Sequence, residues 1–284
     1  MKIGLALSGG GIRGIAHAGV IKALEEEKIP IDIIGGTSSG SLIASLYAMG
    51  YSPYYIYVLF KRYSKRIVEI DSKPILSGIG NFMFSKKINM TGLKTGESIE
   101  ESYNEIALKK GIKSIGEVNM PLVIPAVDVY SSKEYVFTSK RPEGEENQNQ
   151  YITDISIGKA VRASSSFPIV FSPCEYKEYS FLDGGILDNT PVHEVKKQGA
   201  DKVLAITFES DDVTQKSNVM DIGMKILDIM GAKLSEENME MADEILTVPS
   251  DGTGLLETDK LDYCYQSGYK TAMQNMERIR KALL

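Results

Sequence analysis

The amino-terminal stretch LALSGGGIRGIAHAGV, residues 5–20, constrains the fold more than any other part of the sequence. The apolar run at residues 2–8 predicts a short buried strand that ends in a glycine cluster. Apolar residues then recur at helical spacing over residues 12–28, and Pro30 stops the helix. A strand, a glycine loop and a helix in this order are typical of the start of an α/β fold.

A second strand and a second helix follow directly. Residues 31–36 (IDIIGG) predict another short strand, and residues 41–49 predict a helix that Gly50 closes. Strands that alternate with helices form parallel sheets. We therefore expect an α/β fold of three layers, α/β/α, with a mainly parallel central sheet.

The rest of the chain continues the mixture of helices and strands. Helices are predicted over residues 52–70, 97–110, 154–165, about 216–235 and 259–283. Strands are predicted on both sides of a turn within residues 121–139, before the sequence FLDGG, and over 203–208 and 244–249. Residues 71–96 are predicted to be irregular and 141–150 to form an exposed loop. We find no repeat or dividing linker, so we expect one domain over residues 1–284. Its motif-bearing core covers about residues 3–208, and the strand and helices of 216–284 complete it.

Composition narrows the class of protein. The formal net charge of −6 argues against a general nucleic-acid binder, which needs a basic face. Cys174 and Cys264 lie far apart, without metal-ligand spacing, and predict thiols in a reducing compartment. The start of the chain does not resemble a secretory signal, and no run of 18 apolar residues occurs. We expect a cytoplasmic protein, with peripheral contact to the inner face of the membrane left open.

The sequence GGTSSG, residues 35–40, contains the pattern G-x-S-x-G as Gly36, Ser38 and Gly40. It lies where a predicted strand passes into a helix, which is the context that a nucleophile elbow requires. A tight turn there projects the serine hydroxyl out of the sheet, and the glycines tolerate the close approach of backbone and substrate. Ser38 is therefore a candidate nucleophile.

A serine nucleophile needs a base that accepts its proton. The chain has two histidines, His17 and His193. We expect His17, on the first helix, to pack or to bond within that helix. Ser38, Asp183 and His193 follow the chain order of an α/β-hydrolase triad, but that fold builds several strands before its nucleophile. Asp183 is the alternative base, since it follows a predicted strand and precedes two glycines.

The glycine loop has two interpretations. Gly9, Gly11 and Gly14 have the spacing G-x-G-x-x-G, and Asp32 lies 18 residues beyond, as in dinucleotide-binding folds. In those folds, however, the acidic residue lies at the carboxyl end of the second strand, and here that end holds Ser38. Consecutive glycines expose N–H groups beside a helix start, which suits either a phosphate or the oxyanion of a tetrahedral intermediate.

Three motifs follow one another in a fixed order. A G-G-G-x-R/K-G loop occupies residues 9–14, a G-x-S-x-G elbow residues 36–40, and a D-G-A/G element residues 183–185. Softer matches are HAGV (17–20), ASSSFPIVF (163–171) and DNTPV (188–192). With these motifs the chain resembles the patatin-like phospholipases, a family of serine lipid acyl hydrolases, over about residues 3–208.

The resemblance implies a Ser–Asp dyad that acts on the ester bonds of phospholipids or related lipids without a histidine. Ser38 would be the nucleophile and Asp183 its base, and an acyl-enzyme would form. The oxyanion hole would contain Gly9, Gly10, Gly11 and Arg13, with Gly10 and Gly11 as the expected donors and Gly9 and Arg13 shaping the loop. The family implies no metal requirement in its minimal bacterial members, and we expect no other cofactor.

One departure from the family pattern and three rival functions remain. Many members carry an aspartate where this chain has Ser8, a position that shapes the loop rather than reacting. The rivals are a nucleotide-binding module, a non-catalytic regulator and an esterase that depends on His193.

We expect a lipid or other ester as the substrate. The aromatic and basic residues of 52–70 predict either a plain surface helix or a transient membrane contact through Lys61, Arg62, Lys65 and Arg66.

Overall fold

The structure, a computed structural model, describes residues 1–68, 94–144, 148–168, 170–209, 225–226, 229–231, 233–254 and 257–284. The strands in these ranges are β1 Ile3–Leu7, β2 Ile33–Gly36, β3 Leu122–Asp128, β4 Lys133–Thr138, β5 Tyr151–Ile152, β6 Cys174–Tyr176, β7 Tyr179–Asp183, β8 Lys202–Phe208 and β9 Glu244–Val248. The α-helices are α1 Ile15–Glu26, α2 Ser39–Ala48, α3 Pro53–Val68, α4 Glu97–Leu108, α5 Ile157–Ser164, α6 Val192–Lys197, α7 Glu236–Glu240, α8 Leu261–Gln274 and α9 Met276–Leu283.

The strands form one sheet with β1 near its centre. The order is β5-β4-β3-β2-β1-β8-β9, and β7 and β6 extend it from β3. The five strands β3, β2, β1, β8 and β9 are parallel, whereas β4 and β7 run antiparallel to β3. Leu7, the last residue of β1, pairs with Gly36 of β2 and Ile206 of β8. The loops that leave β1 and β2 therefore emerge side by side at the same edge.

β3 brings the ends of β2 and β7 together. β2 pairs with the start of β3, where Gly35 lies opposite Val123. β7 pairs with the end of β3, where Asp183 lies opposite Ala126. Because β2 runs parallel to β3 and β7 runs antiparallel to it, both strands end at the middle of β3. This register places the segments that follow Gly36 and Asp183 next to each other.

The sheet separates two apolar layers. Alternate side chains of β8 enter different layers: Leu204 and Ile206 join the cluster that includes α1, α2, α4, α5 and α8. Val203 and Ala205 join a smaller cluster with the buried side of α6. The larger layer includes a close crossing of α1 and α8, where Gly19 meets the backbone of Tyr265 and leaves no room for a Cβ. The predicted three-layer α/β fold with a mainly parallel sheet is confirmed.

Most predicted elements are confirmed, with shifts at their ends. The first helix begins at Ile15, because residues 11–14 form a 3-10 turn. The helix predicted over 259–283 is wrong as a single element, since it is broken at Asn275. The Asn275 side chain donates to the Thr271 carbonyl at 2.8 Å and competes with the helical backbone.

Some predictions lie wholly or partly outside the described residues. These are the irregular segment 71–96, most of the helix at 216–235, and part of the loop at 141–150. Within the described ranges, no helix is both long enough and apolar enough to span a bilayer. Cys174 and Cys264 are buried free thiols. The single-domain assignment stays a prediction.

Candidate active site

Ser38 occupies a strained turn between β2 and α2. Its φ of 52° and ψ of −123° lie where few non-glycine residues are found. The flanking glycines let the turn press against the end of β1: a Cβ on Gly40 would lie 2.7 Å from the Ser8 carbonyl oxygen, and a Cβ on Gly36 would collide with the backbone of Gly40. The elbow pattern predicted at these residues therefore has a steric basis.

The backbone of Ser38 is held on both sides. Its amide donates to Ser164 Oγ at 3.1 Å, and its carbonyl accepts from the Ser41 hydroxyl at 2.6 Å and the Ser41 amide at 2.9 Å. Ser164 is fully buried at the end of α5. These contacts hold the Ser38 backbone in place and so limit the directions that its side chain can take. The start of α2, with its partial positive charge, lies directly behind Ser38.

The glycine loop lies against this elbow. A Cβ on Gly9 would stand 3.0 Å from Ser38 Cβ. The Gly9 amide donates to the Asn189 carbonyl at 3.1 Å and to Asn189 Oδ1 at 3.2 Å. In the part of the chain that the structure describes, the amides of Gly10 and Gly11 have no acceptor. The loop therefore contains two N–H groups without a described acceptor, directly after the residue that contacts Ser38.

Arg13 shapes the loop from within. Its backbone amide and its Nε both donate to the Gly10 carbonyl, each at 3.2 Å, and its guanidinium also reaches the Glu209 carbonyl at 3.4 Å. Arg13 is buried, with its guanidinium carbon 5.6 Å from the centre of the Phe208 ring. The loop-shaping role that the sequence indicates for Arg13 stays a prediction.

Asp183 is buried at the end of β7, close to the elbow. Its amide donates to the Ser166 carbonyl at 3.1 Å, and its Oδ1 accepts from the Gly185 amide at 2.8 Å. The next residue, Gly184, abuts Thr37, since a Cβ there would lie 3.1 Å from Thr37 Cγ2. Thr37 directly precedes Ser38. The structure thus brings the three sequence motifs to one place.

Asn189 is a residue whose importance the sequence did not reveal. Besides holding the Gly9 amide, its Oδ1 lies beside Gly185, where a Cβ would be 2.9 Å away. Its own amide donates to Ser235 Oγ at 3.2 Å. Asn189 therefore connects the glycine loop, the Asp183 loop and the segment that leads into α7. The only hint was the softer match DNTPV at residues 188–192.

His193 and Asp32 are the remaining candidates. His193 is on α6 with its side chain 42% exposed, and its Nδ1 lies 3.9 Å from Glu194 Oε1. Asp32 precedes β2, at the opposite end of that strand from the glycine loop, where its Oδ2 accepts from the Ile3 amide at 2.8 Å. A ribose-binding role for Asp32 therefore finds no support in this geometry.

Asp188, a buried acidic residue, contacts the elbow through its backbone. The Thr37 hydroxyl donates to the Asp188 carbonyl at 2.9 Å. Burial raises the pKa of Asp188 to about 7, against opposing hydrogen bonds from Asn238 and the Thr190 amide. Burial likewise raises the pKa of Glu134, which feels the charge of Asp188. Protonation of Asp188 accordingly depends on pH in the neutral range.

Comparison with known proteins places the chain in a family. The profile of the family described as Patatin-like phospholipase matches residues 5–196. The chain belongs to this family. The matched range of this patatin-like chain includes Ser38, Asp183 and the glycine loop, and the resemblance inferred from the motifs is confirmed.

Curated relatives of this patatin-like chain are longer proteins. Lysophospholipase NTE1 of Candida albicans is 28% identical over 297 residues, which cover 95% of this chain and 20% of the relative. Lysophospholipase nte1 of Aspergillus fumigatus is 30% identical over 306 residues, which cover 98% of this chain and 18% of the relative. The chain thus spans about a fifth of their length.

Two solved structures share the fold. VipD from Legionella pneumophila aligns with a TM-score of 0.51 at 15% identity, over 98% of this chain and 67% of that chain. ExoU, in its heterodimeric complex with SpcU from Pseudomonas aeruginosa, aligns with a TM-score of 0.52 at 17% identity, over 100% of this chain and 52% of that chain. At this level of identity the likeness concerns the fold alone.

Proposed function

We propose that this chain hydrolyses the ester bonds of phospholipids or lysophospholipids, with Ser38 as the nucleophile and Asp183 as its base. The observation that carries the proposal is the contact of Ser38, on its strained turn, with Gly9, the residue directly before two amides, those of Gly10 and Gly11, that have no acceptor among the described residues. Membership of the patatin-like phospholipase family and relatives named lysophospholipases support the lipid ester as substrate.

The first step forms an acyl-enzyme. Ser38 Oγ attacks the ester carbonyl carbon while Asp183 accepts the hydroxyl proton, and the carbonyl π electrons move onto oxygen. The tetrahedral intermediate collapses, the bond to the alcohol oxygen breaks, and Asp183 returns the proton to the leaving alcohol. In the second step water attacks the acyl group, Asp183 accepts a proton from it, and Ser38 regains its proton as the fatty acid leaves.

The glycine loop stabilises the oxyanion of each intermediate. The N–H groups of Gly10 and Gly11 are the donors in this proposal, and Gly9 keeps its bond to Asn189. Donors held in place before the reaction need no reorganisation when the charge develops. Loss of one such donor typically lowers turnover by about 10²–10³-fold.

The alternative is a non-catalytic nucleotide-binding or regulatory protein that uses the same loop. Two open amides beside a helix start also suit a phosphate. That alternative gives no role to the strained conformation of Ser38 or to the placement of Asp183 and Gly184 against the elbow. The hydrolase accounts for both features, and we favour it.

Lipid access is proposed to occur beside Gly185. Gly231 packs against the Gly185 carbonyl, and the Ser235 hydroxyl accepts a hydrogen bond from the Asn189 amide. The neighbouring helical residues turn large apolar side chains to solvent. We call these side chains, each 51–57% exposed, the apolar strip: Ile226, Ile229, Met230 and Leu234. An exposed apolar face next to the site suits contact with a lipid surface.

The membrane contact that the sequence predicts at residues 52–70 is an alternative to the apolar strip as the membrane-binding surface. α3 buries one side and exposes Tyr54 and Tyr55 on the other. Lys61 forms an ion pair with Asp262 at 2.6 Å, which reduces the positive charge available to a membrane. The structure does not describe the side chains of Lys65 and Arg66. Membrane contact through α3 and a cytoplasmic location stay predictions.

Turnover of defined lipids tests the proposed function. Purified protein is incubated with 1-acyl-lysophosphatidylcholine and, separately, with phosphatidylcholine, and free fatty acid is measured. We expect release by the wild type and a loss of at least about 10³-fold in Ser38→Ala, as for nucleophiles of other serine hydrolases. Equal release by the wild type and by a Ser38→Ala variant that retains its thermal unfolding midpoint would overturn the proposal.

A further inference from the structure

His17 is a fully buried histidine that makes one hydrogen bond across to the glycine loop. Its Nε2 lies 2.9 Å from the Ser8 carbonyl oxygen. A carbonyl can only accept, so Nε2 carries the hydrogen and Nδ1 does not. Among the described residues Nδ1 has no partner. Burial lowers the pKa of His17 to about 4, so the ring is neutral near pH 7 and serves as a donor through Nε2 alone.

The bond from His17 acts on a peptide group that is held from its other side as well. The Ser8 carbonyl and the Gly9 amide belong to the same planar peptide bond. His17 Nε2 binds the oxygen, and Asn189 binds the N–H through both its carbonyl and its Oδ1. With both polar groups engaged, this peptide plane has a fixed orientation. The two glycines with open amides follow immediately.

Phe208 provides a second connection between His17 and the loop. The His17 and Phe208 ring centres are 4.8 Å apart. The Phe208 ring also supports Gly10, because a Cβ there would lie 2.5 Å from Phe208 Cδ2. Arg13 lies over the same ring and holds the Gly10 carbonyl. The peptide before the loop and the ring beneath it both depend on where His17 is placed.

We propose that His17 is a positioning residue for the reaction: its Nε2–H holds the Ser8 carbonyl and thereby aims the Gly10 and Gly11 amides at the oxyanion. The proposal rests on the proposed function of Ser38 and the loop. His17 does not touch substrate, and it transfers no proton. A residue that served packing alone would not need a donor at this position, and a leucine would fill the space without burying a polar ring.

Three substitutions at residue 17 separate positioning from packing. Glutamine can place its amide nitrogen near the position of Nε2, asparagine places it near Nδ1, and leucine offers no donor. kcat and KM are measured with p-nitrophenyl butyrate, a soluble ester, together with the thermal unfolding midpoint of each variant. We expect His17→Leu to lower kcat about tenfold or more with KM within about twofold, since part of the oxyanion stabilisation is lost. His17→Gln should recover most of the loss, and His17→Asn should not.

A buried residue on the same helix provides the control. Val20→Ala removes buried packing from α1 but no hydrogen-bond donor, so it should lower the unfolding midpoint and leave kcat unchanged. Unchanged kcat in His17→Leu, or equal losses in the glutamine and asparagine variants, would overturn the positioning role. If His17→Leu does not fold, the comparison of glutamine with asparagine decides.

The two proposals can fail separately. Fluorophosphonate labelling of the wild type at Ser38, together with a fully active His17→Leu, would remove the positioning role and leave the hydrolase intact. Absence of labelling at Ser38 in a folded wild type would remove the proposed function itself.

Discussion

Gly9 and Ser38 are in direct backbone-to-side-chain contact, so closely that a Cβ on residue 9 would lie 3.0 Å from Ser38 Cβ. The contact arises because β1 and β2 are paired neighbours, with Leu7 opposite Gly36, and each strand ends one or two residues before the loop it supports. The glycine loop and the elbow are therefore one structural unit. An anion bound by the loop would lie next to the serine hydroxyl.

Replacing Gly9 with alanine should separate the loop from the elbow. The new Cβ would also lie 2.6 Å from Asn189 Oδ1, so the backbone must shift. We expect about a 10²-fold loss of esterase kcat, comparable with the loss of an oxyanion donor, measured with p-nitrophenyl butyrate. Gly254→Ala is the matched control, since its Cβ would make ordinary contact with the Glu257 side chain at 3.4 Å. Equal activity in the two variants would contradict the close packing.

Ser164 should matter for activity and its neighbour Ser165 should not. Ser164→Ala leaves the Ser38 amide without its acceptor, which should destabilise the fold by about 1 kcal/mol and lower kcat as the elbow loosens. The Ser165 hydroxyl is buried and makes no hydrogen bond within the described ranges, so Ser165→Ala should be close to neutral. Urea unfolding and esterase kinetics check both variants. A neutral Ser164→Ala would show that the elbow does not need this bond.

The free energy of unfolding should fall as the pH rises from about 4 to about 7 through the contribution of Asp188. Its folded pKa of about 7 exceeds the ordinary value of 3.8, so in this interval the folded state binds more protons than the unfolded state. The stabilisation that Asp188 contributes is thus fully present below its unfolded pKa of 3.8 and is lost as the pH rises through its folded pKa of about 7.

The variant Asp188→Asn isolates that contribution. It should flatten the decline in urea-unfolding free energies measured at pH 4, 5.5 and 7, while the exposed Asp259→Asn should leave the decline as it is in the wild type. His17, whose pKa is lowered to about 4, contributes with the opposite sign between pH 4 and 6.5, and it is common to all three proteins. A curve for Asp188→Asn parallel to the wild type would show that Asp188 is not the source.

Vesicle binding should depend on the apolar strip more than on α3. Ile229→Ser with Met230→Ser removes two large exposed apolar side chains and should reduce co-sedimentation with phosphatidylcholine vesicles several-fold. Lys61→Gln with Arg62→Gln is the comparison, and it should have little effect on neutral vesicles. Loss of binding only in the second pair, on vesicles that contain phosphatidylserine, would favour α3 instead.

The order of elements made the nearness of the glycine loop and the elbow predictable. The carboxyl ends of adjacent parallel strands lie at the same edge of a sheet, so Gly9 and Ser38 had to emerge together. The turn at Ser38 was also predictable, because glycines at residues 36 and 40 allow the backbone approach that the structure shows. Both inferences depend on local sequence and on one strand pairing.

The contacts made by distant segments could not be predicted in the same way. Asp183 reaches the elbow because β7 joins β3 in antiparallel register, and no local pattern specifies that pairing. Asn189, Ser164 and Phe208 support the site through contacts formed only by tertiary packing. The break at Asn275 was missed because the apolar spacing continues through it, while the Asn275 side chain bonds back to the Thr271 carbonyl in the last turn of α8.

Covalent labelling at Ser38 tests the central claim most directly. Wild type, Ser38→Ala, Asp183→Asn and His193→Ala are treated with an alkyl fluorophosphonate, and the adduct is located by peptide mass mapping. The account predicts one adduct on the peptide that contains Ser38, none in Ser38→Ala, labelling slowed about 10²-fold or more in Asp183→Asn because the proton acceptor is lost, and an unchanged rate in His193→Ala. Labelling that persists in Ser38→Ala, or that disappears in a folded His193→Ala, would contradict it.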